Sequence, residues 1–556
     1  MFRLFTFLNR ETNGLHQAAF LLAFASIGAK LLAVLRDRLL AGSFGADRAL
    51  DIYYASFRLP DLLYVLSLFL VSTTALIPLF LEKKDFISRR LFINQVFTIF
   101  FFSIVALGVI TFFLVPCIIG VIAPGFSAED TSVLIKFSRI LLLSPFLLGL
   151  SNLVSSVIQS FNRFFVYALS GVLYNAGIIF GLLVLYPVMG INGVIWGVVA
   201  GALLHFLIQV PSLVSLGFFP RFALSISFKE IKRVVALSLP RTFGLTLHQL
   251  VLLVITAMAS LLAAGSITIF NLASNLQAIP LGVIALSYSV AAFPTLAKSF
   301  INQKKEDFIF AVDSSFRHII FWLLPVTVLF IVLRAQIVRV LLGAGAFSWT
   351  DTRLTAAALA LFAVSLFAQG LILLLVRAFY AAGKTRAPLV INFISSVLII
   401  IFALGFLLIL KHSAGILTVF DRILRVEQVS GSAVLFLPLA YSLGMIINFF
   451  FLFVSFERIF GRILDRIKKS VVQVFLTSLL IGVVSYFALS VFDDLFGLDT
   501  FFGVFMQGFL SGLSGLFAGF VLLNLLKNKE LKEITTSLQK RFTKRVIIRP
   551  EPEELP

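Results

Sequence analysis

The chain has 556 residues, of which 60% are hydrophobic and 13% charged; 64 are Phe and the mean hydropathy is +1.07. Soluble domains carry about 45–50% apolar and about 25% charged residues, so a water-soluble globular protein is excluded. The formal net charge of +19 would suggest nucleic acid on a soluble chain. On a membrane protein it follows from the Lys and Arg enrichment of cytoplasmic loops, and no nucleic-acid partner is expected.

In chain order, MFRLFTFLNRETNG reads as an amphipathic start lying on the membrane, because no small-residue cleavage site follows it. Apolar runs long enough to cross about 30 Å of hydrocarbon then follow at 16–44, 52–81, 91–122, 132–160, 164–187, 191–216, 233–263, 268–297, 308–342, 353–382, 387–410, 431–456, 470–492 and 501–526. This is an all-α polytopic membrane protein of about 14 transmembrane helices. The connectors 82–90, 221–233, 298–308, 383–388 and 457–469 are basic. The intervening ones at 123–130, 187–193, 343–351 and 492–500 carry no Lys or Arg, so both termini are expected in the cytoplasm. The connector 411–430 is longer and is expected to hold a short surface helix.

Three landmarks recur in order about 220 residues apart. VIAPGFS at 121–127 returns as LLGAGAFS at 341–348, TALIPLFLEKK at 74–84 as AAFPTLAKS at 291–299, and SFNRF at 160–164 as AFYAAGKTRAP at 378–388. Helices 1–6 and 7–12 therefore read as two copies of one unit, a recurrent transporter plan with the site between repeats. The expected division is an interfacial segment 1–15, an N-lobe 16–218, a C-lobe 219–456, helices 13–14 at 457–527 and a basic tail 528–556.

The first hairpin carries Lys30, Arg36, Asp37, Arg38, Asp51, Arg58 and Asp61. An ionisable group at the centre of a membrane helix costs about 2.5–3.5 kcal/mol on insertion scales, and such groups face water, one another or a charged ligand. Pairing of Arg36 with Asp51 and of Arg58 with Asp61 would account for part of the set. Arg139, Arg241, His248, Arg334, Arg339 and Arg377 fall in or at the edges of later runs, whereas acidic residues are almost confined to the first hairpin. That excess suits an anionic passenger, because the guanidinium fork binds two oxygens at once. Arg139, Arg334 and Arg339, taken singly, are expected to snorkel to headgroups. Asn271, Asn275 and Gln277 either line a cavity or link helices.

No Gly-rich phosphate loop with a Lys, HExxH or supported Ser/His/Asp set is present. The single Cys117 permits no internal disulfide, and no Cys/His metal spacing exists. A transporter is expected, without cofactor or metal and with no coupling ion legible.

GAKLLAVLRDRLLAGSFGADRALDIYYASFRLPDLL at 28–63 resembles the opening signature of the MurJ (MviN-like) lipid II flippases, of the multidrug/oligosaccharidyl-lipid/polysaccharide exporter superfamily. APGF at 123–126, FNRF at 161–164, QVPSLVSLGFFP at 209–220, LPRTFG at 239–244 and RAFYAAGKTRAP at 377–388 agree in order. The resemblance implies two six-helix lobes around a cationic cavity, two extra helices holding a lipid tail, and flipping of lipid II across the bacterial inner membrane for cell-wall synthesis. Arg36 and Asp51 match important family positions, and Lys30 stands where Arg is usual. Tyr64 and Asn275 replace two family cations, and 67–78 lacks the acidic-Gly segment. The expected substrate-binding set is Lys30 and Arg36 on the diphosphate, Asp51 orienting Arg36, Asn275, and Arg58, Arg241 or Arg377 in place of the missing cations. The expected partners are lipid II, membrane lipids and cell-wall synthesis proteins, the chain itself acting as a monomer. An exporter of another polyprenyl-diphosphate-linked oligosaccharide, or a drug or cation antiporter of the same superfamily, remains an alternative.

Overall fold

The computed structural model describes residues 15–161, 163–412, 414–497 and 500–543, so the N-terminal segment before Leu15 and the tail beyond Thr543 lie outside it. Among the described residues every regular element is helical. The spans are α1 Leu15–Phe44, α2 Arg48–Glu82, α3 Phe86–Ile122, α4 Ala128–Ser160, α5 Phe164–Met189, α6 Ile191–Ser215 and α7 Phe228–Ser260. They continue with α8 Ser266–Ile301, α9 Lys305–Val332, α10 (the pair Trp349–Ala363 and Leu366–Ala381, bent by 44°) and α11 Arg386–His412. The last three are α12 Ser432–Phe460, α13 Leu464–Asp493 and α14 Phe501–Leu525. Among the described residues twelve helices, or thirteen counting α10, are long and apolar enough to cross a membrane. The 30-residue α1 also exceeds the roughly 20 residues required. A helix, Ala414–Leu424, lies in the long connector as expected.

Local chemistry sets the irregularities. α4 breaks at Leu142, and Pro145 three residues on has no N–H to return to Leu141. α5 carries a π turn at Gly181–Leu185, just before Pro187, and α8 carries one at Leu281–Ala285, just after Pro280. α5 and α6 meet through Gly177 and Gly181 against Gly193, Gly197 and Gly201; a Cβ at Gly181 would lie 2.9 Å from the Gly193 carbonyl oxygen. Small residues at four-residue spacing let membrane helices touch backbone to backbone.

The internal repeat is visible in the caps. α4 begins with a capping box in which the Asp130 N–H donates to Ser127 Oγ and the Ser127 N–H to Asp130 Oδ2. α10 begins with the same box built from Ser348 and Asp351. Each box satisfies helix-start donors that have no partner within the helix. Both copies touch the tip of the first hairpin: Arg48 pairs with Asp130 at 3.7 Å and stacks on Phe126, while the Ala46 N–H donates to Asp351. Gly45 turns this tip at φ +67°, a conformation that costs Gly little.

The chain divides into two compact units. One comprises residues up to Ile279, Ile337–Phe362 and Thr385–Asn448; the other comprises Pro280–Gln336, Ala363–Lys384 and the chain from Phe449. In the second, α13 and α14 pack along each other, with Gly515 and Gly519 against Ile481. The helix Lys529–Thr543 is capped by Asn528 and tied to α9 by Arg317, which bonds Glu530 at 2.8 Å and Asp313 at 3.1 Å. Arg317 and both carboxylates are buried.

Candidate functional site

A polar cavity of about 370 Å³ opens within the first unit. Its walls come from α1 (Arg36), α2 (Tyr53, Tyr54, Phe57, Arg58, Asp61), α5 (Tyr174, Ile178), α7 (His248, Leu252) and α8 (Phe270, Asn271, Ser274, Asn275). Arg36 donates through Nε and Nη2 to Asp37 Oδ1, at 3.0 and 2.7 Å, and through Nη1 to Asn175 Oδ1 at 3.1 Å. Asn275 donates to the other oxygen of Asp37 at 3.0 Å, so Asp37 joins α1 to α8 while it aims Arg36. Arg58 donates to Thr256 Oγ1 at 2.7 Å and to Asn271 Oδ1 at 2.6 Å. Both guanidiniums are thus fixed by several bonds, a preorganised arrangement for an anion.

Asp51 corrects the expectation drawn from the hairpin. It is buried and accepts from the N–H groups of Gly265 (2.7 Å) and Thr268 (2.8 Å) and from Thr268 Oγ1 (2.8 Å). It caps the start of α8, and Asp37 takes the place beside Arg36 assigned to it. The reason is spacing: Asp37 is the next residue on the same helix, whereas Asp51 lies on the far side of the hairpin tip.

Arg36, Arg58 and Asn275 therefore converge on one cavity. Lys30 is half-buried on α1, six residues from Arg36, about 9 Å along the axis at 1.5 Å per residue, and is not part of this wall. Arg241 is exposed and also outside it. Arg377 belongs to the second unit, where its Nη1 donates to the Leu286 carbonyl at 3.3 Å. Arg58 does not pair with Asp61; it turns to Thr256 and Asn271. Tyr64, expected from the resemblance to replace a cation, accepts from Asn152 Nδ2 at 2.9 Å.

Sequence reasoning did not assign roles to Asp37, Asn175, Tyr174 or Thr256. Asp37 was discoverable from the adjacent charges of Arg36-Asp37-Arg38. Asn175 and Thr256 stand singly in apolar helices and carry no local signal.

Among the described residues no group of three or more His, Cys, Asp or Glu is placed to hold a metal ion. What the cavity offers is binding through positioned charge and amides inside a many-span bundle, the architecture of a membrane transporter. Solved structures share it: "Inward-facing conformation of a multidrug resistance MATE family transporter of the MOP superfamily" aligns with a TM-score of 0.63 at 14% identity, over 79% of this chain and 96% of that one. "Lipid II flippase MurJ, inward closed conformation" aligns with a TM-score of 0.73 at 24% identity, over 91% of this chain and 99% of that one. The family profile "Lipid II flippase MurJ" matches residues 40–506, and the chain belongs to that family. Relatives include the "Probable lipid II flippase MurJ" of Buchnera aphidicola subsp. Acyrthosiphon pisum, 28% identical over 65% of this chain and 72% of that protein. The "Lipid II flippase MurJ" of Burkholderia cenocepacia is 24% identical over 64% of this chain and 70% of that protein.

Proposed function

We propose that the protein carries lipid II across the bacterial inner membrane, its diphosphate held between Arg36 and Arg58. The observation that carries this reading is the meeting of these two guanidiniums, from different helices, on one polar cavity. The cavity, about 370 Å³, is near the lower end of small-molecule sites at roughly 300–1,000 Å³. It suits the diphosphate, with the saccharide–peptide head extending beyond it. Lys30, on the cytoplasmic side of Arg36 in an inside–inside topology, meets the anion first. The polyprenyl tail rides in lipid along α13 and α14, where Leu479, Val483, Phe509 and Phe517 are exposed.

Movement is by alternating access between two repeat-related halves. The Asp51 cap on α8 and the clasped hairpin tip hold the outer end shut; breaking them opens it. The membrane potential drives part of the cycle, since each elementary charge is worth about 2.3 kcal/mol per 100 mV. The protein works as a monomer beside the cell-wall synthesis machinery.

The test is complementation of a conditional lipid II flippase mutant, paired with binding of purified protein to lipid II and to other polyprenyl diphosphates. Rescue by the wild-type chain and loss of rescue in Arg36→Ala and Arg58→Ala, with normal membrane levels, is expected. Rescue by both variants overturns the assigned grip. Stronger binding to another polyprenyl-diphosphate oligosaccharide, without rescue, identifies the cargo as that lipid instead.

A further inference from the structure

A second concavity lies in the same unit, on the apolar flank of the bundle, and the transport reading makes no use of it. It is a groove of about 790 Å³ lined chiefly by Ile104, Gly108 and Phe112 of α3, Leu142 and Phe146 of α4, and Trp196 of α6. Its shape follows from the sequence. The helix of α4 is interrupted at Leu142 in the groove floor, and Gly108 leaves a hollow in one wall, where an added Cβ would meet nothing within 4 Å. The volume falls within the range of ligand sites, about 300–1,000 Å³.

One cation stands at this apolar groove. Arg139 donates through Nε to the Phe112 carbonyl at 3.1 Å, and its guanidinium carbon lies 4.5 Å from the centre of the Phe112 ring. The stem is thereby pinned across α3 while the terminal amino groups keep their fork. Among the described residues no carboxylate lies within 4 Å of Arg139; Asp130, at the start of the same helix, pairs with Arg48. Lys136, exposed and one turn earlier, adds a second positive charge on that side. Trp196, five residues into α6 and partly exposed, is the residue type that marks the headgroup level.

We propose that this groove binds one anionic glycerophospholipid of the bilayer, with its phosphate on Arg139 and an acyl chain between α3 and α6. The charge match singles out this occupant: the walls are hydrocarbon-compatible throughout, and the one fixed polar group is a phosphate-binding fork. In the inside–inside topology the lipid belongs to the outer leaflet. It is a bilayer component held at the flank, separate from the passenger in the polar cavity.

The chain has three Trp residues, Trp196, Trp322 and Trp349, which permits a direct test independent of transport. A Trp322→Phe/Trp349→Phe protein, reporting Trp196 alone, is placed in phosphatidylcholine nanodiscs containing graded fractions of dibrominated phosphatidylglycerol or dibrominated phosphatidylcholine. Half-maximal quenching is expected at a three- to tenfold lower mole fraction of the anionic lipid. Arg139→Gln is expected to abolish that preference, and Gly108→Phe, which fills the hollow, to reduce quenching by the anionic lipid at least twofold. Equal half-quenching fractions for the two lipids, or a preference that survives Arg139→Gln, overturns the proposal. Native mass spectrometry of the unaltered chain gives a second reading: one retained phosphatidylglycerol, lost in Arg139→Gln, is expected. An unchanged lipid count between the two proteins overturns it.

Discussion

Thr268 gives both its backbone N–H and its hydroxyl to Oδ1 of Asp51, a residue 217 positions earlier in the chain, while Oδ2 takes the N–H of Gly265. The first turn of α8 opens on Gly265-Ser266-Ile267 and is capped from another helix. The carboxylate satisfies donors that a helix start leaves open and meets the positive end of its dipole. Loss of an N-cap costs about 0.5–2 kcal/mol. Asp51→Ala is therefore expected to lower the thermal unfolding midpoint by about one to two degrees, and Asp51→Asn, which retains one acceptor, by less. Thermal unfolding in detergent, with complementation measured in parallel, checks the ranking. Equal midpoints for the two variants would contradict the cap.

Arg36 and Arg58 each spread bonds over two partners, so charge alone does not reproduce them. Arg36→Lys and Arg58→Lys are expected to keep the protein folded and to weaken lipid II binding about tenfold or more, because lysine offers a point charge without the planar fork. Asp37→Asn, which keeps the shape but removes the negative charge, is expected to loosen both the ion pair that aims Arg36 and the α1–α8 contact through Asn275, and so to lower activity. Binding assays with equal amounts of monodisperse protein decide the matter.

The Gly181–Gly197 approach leaves no space for side chains. Gly197→Val is expected to prevent recovery of monodisperse protein, since a Cβ there meets the Gly181 backbone within about 3 Å and core overpacking costs about 1–3 kcal/mol or more. Gly244, where an added Cβ meets nothing within 4 Å, serves as the control: Gly244→Ala is expected to behave as the parent. Size-exclusion profiles of the two variants make the comparison.

The tie of Glu530 to Arg317 carries a pH dependence. Burial opposes ionisation of Glu530, but hydrogen bonds from its own backbone N–H and from Arg317 outweigh it and hold the carboxyl below its ordinary value. A depressed carboxylate pKa contributes stability that is complete above the ordinary value near 4.5 and is lost as pH falls through the folded value. Docking of the helix Lys529–Thr543 is thus expected to be constant from pH 8 to 5 and to weaken below about pH 4.5. Glu530→Gln is expected to remove that low-pH step, and removing one partner of a buried pair costs about 3–5 kcal/mol. Limited proteolysis of the C-terminal region across pH reads both effects.

The spans were legible from apolar run length, and the connector helix Ala414–Leu424 from the excess of residues between α11 and α12. The duplication was legible too: the FS shared by APGFS and AGAFS proved to open the two capping boxes, Ser127/Asp130 and Ser348/Asp351. Arg36 and Arg58 stood out because charge is rare in these helices. What stayed hidden was pairing. The Asp51–Thr268 bond depends on how two distant helix ends meet, and Asn175 beside Arg36 depends on the close course of α5 past α1. An isolated amide in an apolar run has no periodicity to betray its partner.

The clasp on the first hairpin tip has a pharmacological consequence. In the orientation proposed, Gly45, Ala46 and Arg48, together with Asp130 and Asp351, face the exterior of the cell. Under the proposed alternating-access cycle, a compound or antibody loop that glued this rim together would halt transport without crossing the membrane, and without competing with the passenger for its binding place.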